Sequence, residues 1–95
     1  MRTQVEGSQA VNFAIAAIQT DLWGSSCAHA LARVLLHAYN TAQPLDISLL
    51  GVLNPKHEEW AWAILKLRVE GIEPHEVVKD AKGFHRIVED YWIDF

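Results

Sequence analysis

The chain has 95 residues with 12 acidic against 8 basic side chains, a formal charge of -4, and no run of Lys or Arg. That length supports one domain with one core, and the acidic balance disfavours attraction to nucleic-acid phosphates or anionic membranes. Cys27 is the single cysteine, which excludes an intrachain disulfide and a multi-thiolate zinc site.

The start, Met1-Arg-Thr-Gln-Val-Glu, lacks the apolar segment of a signal peptide, so a cytoplasmic protein with a flexible segment over 1–7 is expected. The longest uncharged stretch, Gly7 to Thr20, is interrupted by Ser8, Gln9, Asn12 and Gln19 and falls short of the ~20 apolar residues of a membrane span. Ser8 is placed to cap a first helix running to about Leu22, in which Val11, Ile15, Ile18 and Leu22 recur on one helical face. Gly24 closes it, and Ser25 or Ser26 caps a second helix that ends near Asn40, with Trp23 expected to pack over the joint.

The second helix raises a chemical question, because Gly24-Ser-Ser-Cys27 lies at its start and His29 follows two residues later. A thiol at a helix N-terminus is a candidate nucleophile. At about 100° per residue, however, Cys27 shares an apolar arc with Ala28, Leu31, Val34, Leu35 and Ala38, and His29 points away from it. Cys27 is therefore read as a small buried hydrophobe without a local base. His29, Arg33 and His37 form a polar stripe opposite that arc, a candidate surface for an acidic protein partner or else an ordinary solvated face.

Pro44 forces a loop over Thr41 to Pro44, and Asp46 is placed to cap a short helix over Ile47 to Val52. Asn54-Pro55 opens a third long helix with cap and N1 proline in the favoured order, and Glu58 and Glu59 suit its positive end. That helix stops at Gly71, Glu73-Pro74 begins a short helical turn to about Ala81, Gly83 breaks it, and Phe84, Ile87, Val88 and Tyr91 mark a last helix. No two-residue alternation predicts a strand. The expected architecture is all-α, a compact single-domain bundle of four to five helices.

The third helix carries two apolar faces. Trp60, Ala63, Ile64 and Leu67 form one, while Trp62, Leu65 and Val69 form another on the far side, which describes either a central helix or one that meets a second subunit. Four tryptophans are many for one small core, and Trp60 and Trp62 cannot face the same way. A two-fold homodimer with Trp62, Leu65, Val69 and the neighbouring Trp92 at the contact is therefore expected. The competing arrangement covers that face within the chain, by the last helix with Val88 and Trp92.

Other chemistry finds less support. His85 and Glu89 have the i, i+4 spacing of helical metal ligands, but no HExxH or His-rich cluster supplies a third, so no metal and no other cofactor are expected. Residues 31–40, 46–53 and 55–69 have the order of a helix-turn-helix, yet Glu58 and Glu59 lead the presumptive recognition helix and oppose a duplex.

The succession Thr20-Asp21, Gly24-x-Ser26, Arg33-x-x-Leu36, Leu45-Asp46-x-x-x-Leu50 and Phe84-x-x-Ile87-Val88-x-x-Tyr91-Trp92 resembles an uncharacterised small helical domain family of bacterial plasmids and phages, over about residues 8 to 92. The resemblance implies a mobile-element origin and no catalytic residue. The leading expectation is a non-enzymatic interaction protein, an accessory factor of a mobile element such as an antagonist of a host defence complex. The alternatives are a small enzyme using Cys27, or His85 and Glu89 with a metal, and a DNA-binding regulator.

Overall fold

The structure, a computed structural model, describes residues 5–94. Its elements in chain order are α1 (Gly7–Gln19), α2 (Ser26–Tyr39), a 3-10 helix (Ile47–Val52), α3 (Pro55–Val69), a second 3-10 turn (Pro74–Glu76) and α4 (Ala81–Tyr91). No strand occurs among the described residues, and the chain is the all-α bundle that its periodicity implied. None of these helices is long and apolar enough to cross a membrane.

Side-chain caps set most helix starts. Ser25 accepts from the Ala28 amide, Asp46 from Ser48, Asn54 from His57 and Asp80 from Gly83, each satisfying a donor that the first helical turn leaves open. α1 differs from expectation, because Ser8 lies inside the helix and Glu6 is the cap, its amide donating to Gln9 Oε1 at 3.2 Å. Of the segment 1–7 expected to be flexible, residues 1–4 lie outside the described residues. Val5 packs against the core, and Gly7 opens α1 so close to α3 that an added Cβ meets Leu67 Cβ at 2.7 Å.

α1 also ends early, at Gln19 rather than Leu22. The Thr20 hydroxyl donates to the Ala16 carbonyl, the Leu22 amide returns to Ala17, and Gly24 at φ 77° turns the chain into α2. Trp23 does not cover this joint; it is 57% exposed. The short turn expected to run to about Ala81 stops at Glu76, and Gly83, expected to break it, lies instead in the first turn of α4, where its missing Cβ leaves room for Asp80 and Gln19.

The largest departure is the identity of the central helix. Every residue from Ala30 to Leu36 is buried, so α2, and not α3, runs through the middle, touching α1, α3, α4 and both 3-10 elements. Ala28, Ala30, Ala32 and Ala38 make this possible, since small side chains let neighbours approach on every side. α1 contributes Val11, Ala14, Ile15 and Ile18 to the core, α3 contributes Trp60, Ile64 and Leu67, and α4 contributes Phe84 and Ile87. Tyr39 closes one end with its ring edge-on to Phe84 at 5.3 Å.

Candidate functional site

The stripe expected on the outer face of α2 is a surface only at His29; Arg33 is buried and His37 half-buried. Arg33 is 2% exposed. Its Nε and one terminal nitrogen donate to the Pro44 carbonyl at 3.2 and 3.0 Å, that terminal nitrogen also reaches Gln43 Oε1 at 3.2 Å, and the other donates to the Tyr91 carbonyl at 2.6 Å. The physical reason is the cover that folding brings: loop 40–46 and the segment after α4 close over this side of α2, presenting carbonyls that a guanidinium fork can meet. Tyr91 is the last residue of α4, where the helix macrodipole is negative, so a cation suits that end. Burial lowers the Arg33 pKa from its ordinary value, and the partners that hold it are all neutral oxygens.

Gln43, itself 2% exposed, extends the network by accepting from the Ile93 amide at 2.9 Å and donating to the Ile93 carbonyl at 2.8 Å. His37 Nδ1 donates to the Gln43 carbonyl at 2.8 Å, which makes that nitrogen the protonated one. His29 alone of the three stays exposed, its ring 6.1 Å from that of Tyr91. Arg33 and His37 thus form a lock, Arg33 on the loop and the end of α4 and His37 on the loop, with exposed His29 outside it.

Cys27 is half-buried rather than buried, because it stands in the first turn of α2, beyond the densest layer, where the 3-10 helix covers it only in part. Its thiol lies 3.5 Å from the Val52 carbonyl. His85 and Glu89 pair at 2.8 Å on the outside of α4, 73% and 64% exposed, as an i, i+4 surface pair. Among the described residues no three or more His, Cys, Asp or Glu side chains are grouped to hold a metal ion.

α3 presents the surface of greatest interest. Its core side holds Trp60, Ala61, Ala63, Ile64 and Leu67. At 100° per residue Trp62 falls opposite the centre of that arc, with Leu65 and Val69 close beside it. Trp62 and Leu65 are half-buried, packing their inner edges on the core, and Val69 is 86% exposed. α3 packs principally on α1 and α2. Trp92, the fourth residue expected at this surface, is half-buried and stands beside Arg68 in a polar cleft of about 470 Å³ that also takes in Tyr39, Glu73 and His75.

Sequence reasoning missed two features. Arg68 Nε is buried without a hydrogen-bond partner at the wall of that cleft. On the other side of α3, Phe13, 46% exposed, and Trp60 wall a mostly apolar hollow of about 500 Å³ over Ala16 and Ala17, with the Lys56 ammonium 5.5 Å above the Trp60 ring. The signal for Phe13 was present in its position off the Val11, Ile15, Ile18 stripe, which leaves a large aromatic side chain outside the core.

No protein family model, curated protein or solved structure matches this chain.

Proposed function

We propose that the chain is a non-enzymatic protein-interaction module that works through the outward face of α3. The observation that carries this reading is Val69, an aliphatic side chain 86% exposed and in line with half-buried Trp62 and Leu65. A large aromatic ring flanked by open aliphatic side chains is the composition of an interface centre. The other candidate residues point the same way: Arg33 and His37 of the α2 stripe are engaged by backbone carbonyls, and the Cys27 thiol by that of Val52. The accessory role in a mobile element, with an antagonist of a host defence complex as one instance, rests on the resemblance given above and on the acidic net charge of -4, which suits a basic target.

Affinity capture in the organism that encodes the chain tests this, using the wild type beside Val69→Glu. The substitution changes the surface without touching the core. A protein retained by the wild type and lost from the variant is the expected result. A set of captured proteins identical for the two baits overturns the assignment of this face.

A further inference from the structure

The polar cleft beside Trp92 lies where three helices end. Tyr39 closes α2, Arg68 stands in the last turn of α3, and Trp92 follows α4, and all three line the cleft. After α3 the chain passes Gly71, at φ 91°, and the second 3-10 turn, which adds Glu73 and His75 to the same walls. The volume of about 470 Å³ lies within the ~300–1,000 Å³ of small-molecule sites.

The two opposite charges in this cleft are not spent on each other. Arg68 Nε is closed off without a hydrogen-bond partner, and no oxygen of the described residues engages the guanidinium, so its terminal nitrogens remain to donate. Glu73 is the one carboxylate lining the cleft among the described residues. It serves the Glu76 amide in a capping box, which leaves further acceptor positions on its oxygens, and it forms no ion pair with Arg68. A simple anion entering here is repelled by Glu73 and by the negative ends of three helix dipoles, and a simple cation is repelled by Arg68. A molecule that carries both charges satisfies both groups. The apolar part of the lining is aromatic, from half-buried Tyr39 and Trp92, with the His75 ring edge-on to Tyr39 at 5.4 Å.

We propose that the cleft binds a free α-amino acid with a flat side chain. The terminal nitrogens of Arg68 take the carboxylate, Glu73 takes the ammonium, and the side chain lies against the Tyr39 and Trp92 rings. Inorganic phosphate does not fit, because its second negative charge finds no partner. The site is separate from the outward face of α3, since Trp62, Leu65 and Val69 do not line it.

Probes that share one ring and differ in charge test this by NMR titration of the isotope-labelled chain. They are L-phenylalanine, phenylpropionate, which lacks the ammonium, and phenethylamine, which lacks the carboxylate. Phenylalanine is expected to shift the Trp92 indole N–H saturably with a dissociation constant of about 1 mM or below, and each of the other two to bind about tenfold more weakly. Arg68→Gln weakens phenylalanine about tenfold and leaves phenethylamine unchanged. Glu73→Gln keeps an oxygen for the Glu76 amide, weakens phenylalanine and does not weaken phenylpropionate. No saturation by ~10 mM phenylalanine overturns the site. Equal affinity for phenylalanine and either single-charge probe overturns the assignment of the ligand, and this comparison on the wild type stands even where a variant fails to fold. Phenylalanine binding indifferent to both substitutions overturns the roles of Arg68 and Glu73.

Discussion

Replacement of Arg33 by methionine isolates the polar lock from the packing around it. Methionine keeps most of the unbranched stem and removes the guanidinium, so the buried volume changes little. Two carbonyl acceptors, those of Pro44 and Tyr91, lose their guanidinium donor, while Gln43 Oε1 keeps the Ile93 amide alone. At about 1.5 kcal/mol for each buried carbonyl left unsatisfied, the loss is about 3 kcal/mol. Part is offset, because a buried cation with only neutral partners carries a desolvation cost that methionine does not. The expected net destabilisation is about 2 kcal/mol, a large share of the 5–15 kcal/mol typical of a domain. In urea, with a slope of about 1–3 kcal/mol per molar, the midpoint falls by about 1 M. Hydrogen exchange gives the local reading, since the Ile93 amide donates to Gln43 Oε1, which Arg33 holds in place. Loss of Ile93 protection ahead of the core amides of α2 is expected. A variant within about 0.5 kcal/mol of the wild type, with Ile93 still protected, refutes the account of Arg33 as the tie between loop and C-terminal segment.

Gly7→Ala places a Cβ 2.7 Å from Leu67 Cβ and 3.0 Å from the Ala63 carbonyl, both on the rigid wall of α3. It is expected to cost about 1–2 kcal/mol despite alanine's better helix propensity, and an unchanged or higher melting temperature contradicts that close approach. His57, whose Nδ1 is buried without a partner, titrates below its ordinary 6.5 because burial and then the Lys56 charge favour the neutral ring. Its contribution is complete above 6.5 and is lost as pH falls through the lowered folded value, so His57→Gln flattens the decline of melting temperature on the acid side of 6.5. A slope unchanged by the substitution contradicts this. Thiol labelling at neutral pH is expected to modify Cys27 more slowly in the folded than in the unfolded chain, in keeping with its half-buried position. A folded-state rate above the unfolded one reopens the nucleophile.

The local rules were legible in the chain because they act over two to four residues. Ser25, Asp46 and Asn54 each satisfy an amide two or three positions downstream, and Asn54-Pro55 fixes both the cap and the first helical dihedral. Trp60 and Trp62 could be assigned to opposite sides of α3 because helical periodicity alone separates them. The helix count and the outward position of Val69 came from the same periodicity.

Only tertiary structure decided which helix is central and what Arg33 does. A helical wheel treats a charged side chain as solvent-facing, but the oxygens that meet Arg33 come from Pro44 and from Tyr91, 11 and 58 residues away, and no periodicity encodes their arrival. The alanines of α2 carried a signal that the wheel averaged away: their small size permits contact on all sides, which makes the helix central even where its polarity is mixed. Gly83 illustrates the same division. Its sequence says that the backbone is free to turn, and the packing of Asp80 and Gln19 over its missing Cβ makes it part of a helix. Periodicity and capping set the elements of this protein; the carbonyls and small surfaces that those elements bring to one another over distances of tens of residues set their arrangement.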